Sequence, residues 1–238
     1  TADTLICLEE LLAKPHQHSI TICNTPNSSM SRISKSTVFV QAGPEIGVAS
    51  TKAVSCQLIT LYLLSHHLAS KPAKLDFAIL QRCIEKSLHT PKVQDIAKTV
   101  AYYKHVICIG KQHMLPIAKE LALKLKELAY IHAEPLAAGE LKHGPLALID
   151  QNVLTIAIDD VSSPSIQTCI SEIQTRGGAV ITISPTALSE HTSELEAIDD
   201  LSAVITNIYC QLIAYHTALT LNHPIDKPRN LAKSVTVE

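Results

Sequence analysis

Lysine, glutamate and histidine can attack carbonyls or move protons near neutral pH, and three stretches of this 238-residue chain place them informatively. In the first, Ile117, Leu121, Leu125 and Leu128 recur at three- and four-residue spacing and mark the buried stripe of a helix over 115–130. Lys124 falls on that stripe, where a lysine either snorkels to solvent or sits in a pocket with a partner. Glu127, three residues on, lies within reach of it. On an arbitrary helix such a pair is ordinary surface charge. Here its place on the apolar edge favours proton transfer, because burial displaces the pKa of ionisable groups.

The second stretch runs from Ala133 to Pro145 and is rich in Gly, Pro and charge, so it reads as a loop held by a rigid scaffold. It carries His143, an acid or base near neutral pH, although a single histidine among twelve is more often a surface residue. The third is the tail, Asp226 to Glu238, whose charged, Pro-containing start leads into Ser-Val-Thr-Val. A lysine delivered on such an arm could form a Schiff base.

The elements that must position these groups alternate. A helix is predicted over 4–14, strands over Ser19–Cys23 and Thr37–Gln41, a long helix over Ser50–Ala69, and one or two helices over 76–104. A second run follows: strand Val106–Ile109, helix Leu115–Tyr130, strand Val153–Ile158, helix Ile166–Thr175, strand Ala179–Ile183 and helix Ile205–Leu221. Strands separated by helices imply parallel βαβ units, so the fold class is α/β. The second run reads as a whole α/β domain and the first as the back half of one.

Composition narrows the classes. A 46% hydrophobic, 18% charged chain can bury a core, and a net charge of −2 argues against a nucleic-acid surface. No apolar run is long enough to span a membrane; the nearest, Ala53–Ala69, is broken by polar residues. The seven cysteines have no C-x-x-C spacing and fit buried, reduced thiols. With seven glycines and no G-x-G-x-x-G or P-loop, dinucleotide and ATP sites by those routes are not expected, and no cofactor is. No histidine pair has H-x-x-x-H spacing, and His16-x-His18 stands without cysteine nearby, so no metal is expected. The start at Thr1, with no Met and a helix opening at once, reads as a piece of a longer protein.

The strings Glu45-Ile46-Gly47-Val48-Ala49-Ser50-Thr51-Lys52-Ala53, Ala122-Leu123-Lys124-Leu125-Lys126-Glu127, His132 through Asp150 and Pro228 through Glu238 resemble the isomerase part of the glutamine–fructose-6-phosphate aminotransferase family. That part has two SIS (sugar isomerase) domains and a tail. The resemblance implies flavodoxin-like, doubly wound parallel sheets flanked by helices. It assigns 1–75 to a truncated first SIS domain, 76–96 to a helical linker, 97–228 to a complete second SIS domain and 229–238 to an active-site tail. It implies that fructose 6-phosphate and glutamine-derived ammonia become glucosamine 6-phosphate. Lys233 would form the Schiff base, Glu127 would move the proton between C1 and C2, and Lys124 and His143 would help open the ring. His143 would come from the neighbouring subunit of a homodimer. Thr1, Val48, Ser50 and Ala232 would line the sugar pocket.

The family's Ser-Gln-Ser-Gly-Glu-Thr phosphate loop is represented here by Thr1 alone, and its glutaminase domain is not in this sequence. The piece alone is therefore expected to be inactive, its partner glutaminase domain belonging to the parent chain. The resemblance also implies a cytoplasmic enzyme. Two rivals stay open: a simpler SIS aldose–ketose isomerase or deaminase, and a non-catalytic phosphosugar-sensing SIS module. Neither has a reason to keep Lys124, Glu127, His143 and Lys233 together.

Overall fold

Short β-branched runs become strands and striped runs become helices, in the order expected. The computed structural model describes residues 2–15, 18–73, 75–159, 164–188 and 201–234. Its contacts divide the chain into two units, Thr1–Ala73 with Arg229–Glu238, and Lys74–Pro228. The tail thus groups with the first unit.

The first unit holds α1 (Ala2–Leu12), β1 (Ile20–Cys23), α2 (Ser29–Ile33), β2 (Ser36–Phe39) and α3 (Lys52–Leu68). β1 and β2 pair in parallel, Ile20 opposite Ser36 and Cys23 opposite Phe39. The short helix α2 was not anticipated. At five residues it is too short to show a period, and its signal is a cap: the Ser28 hydroxyl accepts the Ser31 N–H. Burial is sparse. Ile20, Val38 and Phe39 on the strands are all exposed, as are Leu61 and Leu68 on α3.

The second unit holds α4 (Phe77–Leu88), α5 (Lys92–Ala101), β3 (His105–Gly110), α6 (Met114–Lys124), β4 (His132–Ala137), β5 (Val153–Ile158), α7 (Pro164–Thr175), β6 (Ala179–Ile183), α8 (Pro185–Leu188) and α9 (Ser202–Thr220). Asp76 caps α4 by accepting the N–H groups of Ala78 and Ile79. The stretch expected as a connection, 76–96, forms α4 and the start of α5, and both helices pack against α9 within this unit.

All four strands are parallel in the order β4-β3-β5-β6, the doubly wound arrangement. One strand departs from the expected loop over Ala133–Pro145: its first residues, through Ala137, belong to β4. Its Pro135 has no N–H to give a ladder, which an edge position tolerates, and β4 lies at the sheet edge.

On one face, Ile107, Ile109 and Ala157 pack against Ile166, Cys169, Ile170 and Ile173 of α7. The alternate residues Val106, Cys108, Leu154 and Ile156 are equally buried. α9 packs on α4, α5 and α6 and buries Ile205, Tyr209 and Ile213 almost completely. Each such side chain contributes about 1.5–3 kcal/mol. Gly110 ends β3 where a Cβ would sit 2.6 Å from the Met114 carbonyl oxygen, so only glycine lets α6 start so close to the strand.

The thiols are free, and Cys83, Cys108, Cys169 and Cys210 are buried as expected. Cys7, however, is exposed, and Cys23 and Cys56 are half-buried, because the first unit covers its strands and helices less. Burial pushes the Cys108 thiol up to about 12, against a smaller downward pull from the Lys126 charge. Among the described residues, no helix is long and apolar enough to cross a membrane.

Candidate functional site

Most of the predicted residues fall into two groups, one in each unit, with His143 apart from both. In the second unit, the expected helix over 115–130 is α-helical only to Lys124. Leu125–Ala129 then widens into a π-helical turn, which ends at Tyr130 in the left-handed region with φ 55°. A bulky residue rarely adopts that conformation, and π turns are frequent at functional sites. The Tyr130 ring lies against that of His223, with centroids 4.4 Å apart.

The turn preserves burial of Leu125 and Leu128 while placing Glu127 beside Lys124. The Lys124 ammonium donates to Glu127 Oε2 at 2.8 Å. A second carboxylate, Glu120 one turn earlier, brings Oε1 to 3.2 Å from the same nitrogen, close enough to attract it but not aligned as a hydrogen bond. Lys124 is 2% exposed, so the pocket alternative to snorkelling holds. One buried cation between two partly covered carboxylates stays soluble in the core only because it is paired.

Sequence reasoning missed Glu120. Its signal was available: it stands four residues before Lys124, on the same side of the helix. His143 sits at the end of a 3-10 turn, Ala138–His143, just before Gly144 at φ 140°. It is exposed, and among the described residues no hydrogen bond or ion pair joins it to Lys124 or Glu127.

In the first unit, the loop between β2 and α3 carries Glu45, Val48 and Ser50. The side chain of Asn24, at the end of β1, fixes the loop's start: its amide donates to the Gly43 carbonyl and its oxygen accepts the Ala42 N–H, both at 2.9 Å. Thr51, at the start of α3, makes no side-chain cap. Glu45 reaches over instead, Oε1 accepting the N–H groups of Thr51 (2.9 Å) and Ala53 (3.4 Å).

Its other oxygen accepts from Lys233 at 2.9 Å, and the Gly47 carbonyl accepts from the same ammonium at 2.8 Å. Burial alone would raise the Glu45 pKa. The Thr51 amide, the Lys233 ammonium, the Ser50 hydroxyl and the Ala53 amide together overcome that and lower it from 4.5 to about 2. Val48 and Ser50 are half-buried and Ala232 is exposed. Thr1 and the last four residues lie outside the described residues.

A cleft of about 720 Å³ opens at the carboxyl end of β1, lined by Ala2, Thr4, Asn24, Ser28, Ser29 and Gln57. In parallel α/β sheets that end of the strands is where ligands bind. The arrangement thus offers an amine on a positioned arm, a cleft of mixed polar and apolar lining, and a buried carboxylate–lysine pair. Among the described residues, no three His, Cys, Asp or Glu side chains are grouped to hold a metal.

The SIS domain family matches residues 1–67 and 101–221. The isomerizing glutamine–fructose-6-phosphate aminotransferase of Xylella fastidiosa is 40% identical across the whole chain, and that of Vibrio cholerae 38%. The chain spans 42% of the length of either. Among solved structures, the C-terminal domain of glucosamine-fructose-6-phosphate aminotransferase from Francisella tularensis superposes with a TM-score of 0.79 at 33% identity, covering 96% of this chain and 70% of that one. Glucosamine-6-phosphate deaminase from Thermotoga maritima matches with a TM-score of 0.71 over 91% of this chain at 20% identity, which shows the shared fold alone. The chain therefore belongs to the SIS domain family and, within it, to the C-terminal part of the isomerizing glutamine–fructose-6-phosphate aminotransferases.

Proposed function

We propose that this chain carries the sugar-isomerising chemistry of an enzyme that makes glucosamine 6-phosphate from fructose 6-phosphate and glutamine-derived ammonia. The single observation that carries the reading is the coexistence of a tethered Lys233 with the buried Lys124–Glu127 pair in one family member. Sugar phosphate binds in the first unit, where Val48, Ser50, Ala232 and Thr1 would contact the sugar. Lys233, as neutral amine, adds to the C2 carbonyl of the open-chain sugar; a C–N bond forms and the carbonyl oxygen leaves as water. Ammonia then displaces the lysine.

Glu127 takes a proton from C1 and returns one to C2. The C2=N bond becomes a single bond while the C1 alcohol becomes an aldehyde, so no redox partner is needed. Lys124 stays by Glu127 and assists ring opening or closure. His143, exposed on its turn, acts on the ring from the neighbouring subunit of a homodimer. The parent chain supplies the glutaminase domain, the enzyme works in the cytoplasm, and the 238-residue polypeptide alone makes little product.

Borohydride reduction of the parent enzyme with fructose 6-phosphate tests this directly. The expected result is a hexose 6-phosphate adduct on the peptide containing Lys233, absent in Lys233→Ala. A parent enzyme that turns over without such an adduct returns the advantage to a simple isomerase, and one that binds the sugar without turnover to a sensing module.

A further inference from the structure

Glu45 opens the string Glu45–Ala53 and has no part in the reaction proposed above. It is nevertheless the residue that holds the amine of the proposed reaction. Two independent sets of contacts meet on its carboxylate. The Thr51 and Ala53 amides at the start of α3 occupy Oε1, which fixes the group in place, and Oε2 is left turned to the tail. The Lys233 nitrogen then directs one hydrogen to Oε2 and another to the Gly47 carbonyl, acceptors two residues apart on one loop. Glu45 is 12% exposed and Lys233 40%, so the carboxylate is the fixed partner and the lysine the one that solvent can reach.

We infer that Glu45 is a positioning residue that parks Lys233 in the resting protein, with its amine engaged until arriving sugar draws it away. The significance of the latch rests on the function proposed above, but the contact can be tested without sugar. The contacts that fix Glu45 also hold its pKa at about 2, so it stands beside Lys233 as a carboxylate. A carboxylate that only capped α3 would need none of the tail contact, and a tail anchored for stability alone would not need to present its lysine.

The 238-residue chain is labelled with limiting acetic anhydride, and Lys233 is quantified by peptide mass against the exposed Lys104. Glu45→Gln keeps an acceptor for the α3 amides and removes the charge; it is expected to raise Lys233 labelling about fivefold, with Lys104 unchanged. Glu45→Asp, which restores the carboxylate, brings labelling back toward the parent value. A merely structural Glu45 would make both variants track their melting temperatures, and unchanged labelling in Glu45→Gln overturns the inference.

Should Glu45→Gln lose its far-UV CD signal, a salt series on the unaltered chain decides. Screening between about 50 mM and 1 M KCl must raise Lys233 labelling more than Lys104 labelling, and a flat series overturns the latch. Labelling that behaves as expected in a protein giving no borohydride adduct leaves the latch standing and removes the function.

Discussion

The two units spend their apolar residues differently. In the second, four parallel strands are covered so fully that Cys108, Ile109, Ile156, Ala157 and Ile158 have no exposed surface. In the first, the two strands leave Ile20, Val38 and Phe39 exposed, and the described buried residues are Leu8, Ser19, Thr21 and Ala53. The chemistry divides along the same line. The buried lysine–carboxylate pair sits in the unit with the dense core, and the amine proposed as nucleophile sits on a tail grouped with the sparser one. Precision follows packing, and mobility is drawn from regions of low local stability.

The contrast breaks most visibly in the core. Leu121→Ala, at a side chain with no exposed surface, should cost about 2–5 kcal/mol in the urea transition of the second unit. The matching Leu61→Ala on half-exposed α3 should change stability by about 0.5 kcal/mol or less. Equal losses would mean that the units do not differ as described. Lys124→Ala should cost roughly 3 kcal/mol, because Glu120 and Glu127 are left facing each other without their cation. Lys124→Met should recover part of that loss by filling the space, as read by calorimetry.

Gly110→Ala should cost about 1–3 kcal/mol through overpacking of the β3–α6 turn, measured in the same urea series. A smaller effect marks the first unit. The Glu45 pKa is lower folded than unfolded, so its stabilisation is full above pH 4.5 and is lost as pH falls toward about 2. Acid titration of the tail contact by NMR should show that loss, and Glu45→Gln should flatten it. The mildest test is thiol labelling: Cys7 should react first and Cys108 only after unfolding.

Much of this was legible beforehand. The stripe Ile117, Leu121, Leu125, Leu128 located the helix and placed Lys124 among buried residues, because a 3.6-residue period reports which side faces the core. The strands β3, β5 and β6 stood out as β-branched runs. β4 did not, since Pro135 and the charged Glu134 disguise an edge strand as loop. The π turn at Leu125–Ala129 was invisible because its side chains keep a helical pattern while only the hydrogen bonding shifts. Cys23, set in an apolar strand run, is only half-buried because apolar neighbours in sequence do not guarantee cover in space.

By itself, the sequence determined the parallel α/β class, the helix that carries Lys124 and Glu127, and the lysine-bearing tail, because periodicity and residue chemistry are local properties. Only the tertiary structure decided which partners those groups keep. Lys233 meets Glu45 across 188 positions of chain. No local pattern encodes that meeting; it exists because the amides of α3 hold one carboxylate oxygen and leave the other turned toward the tail.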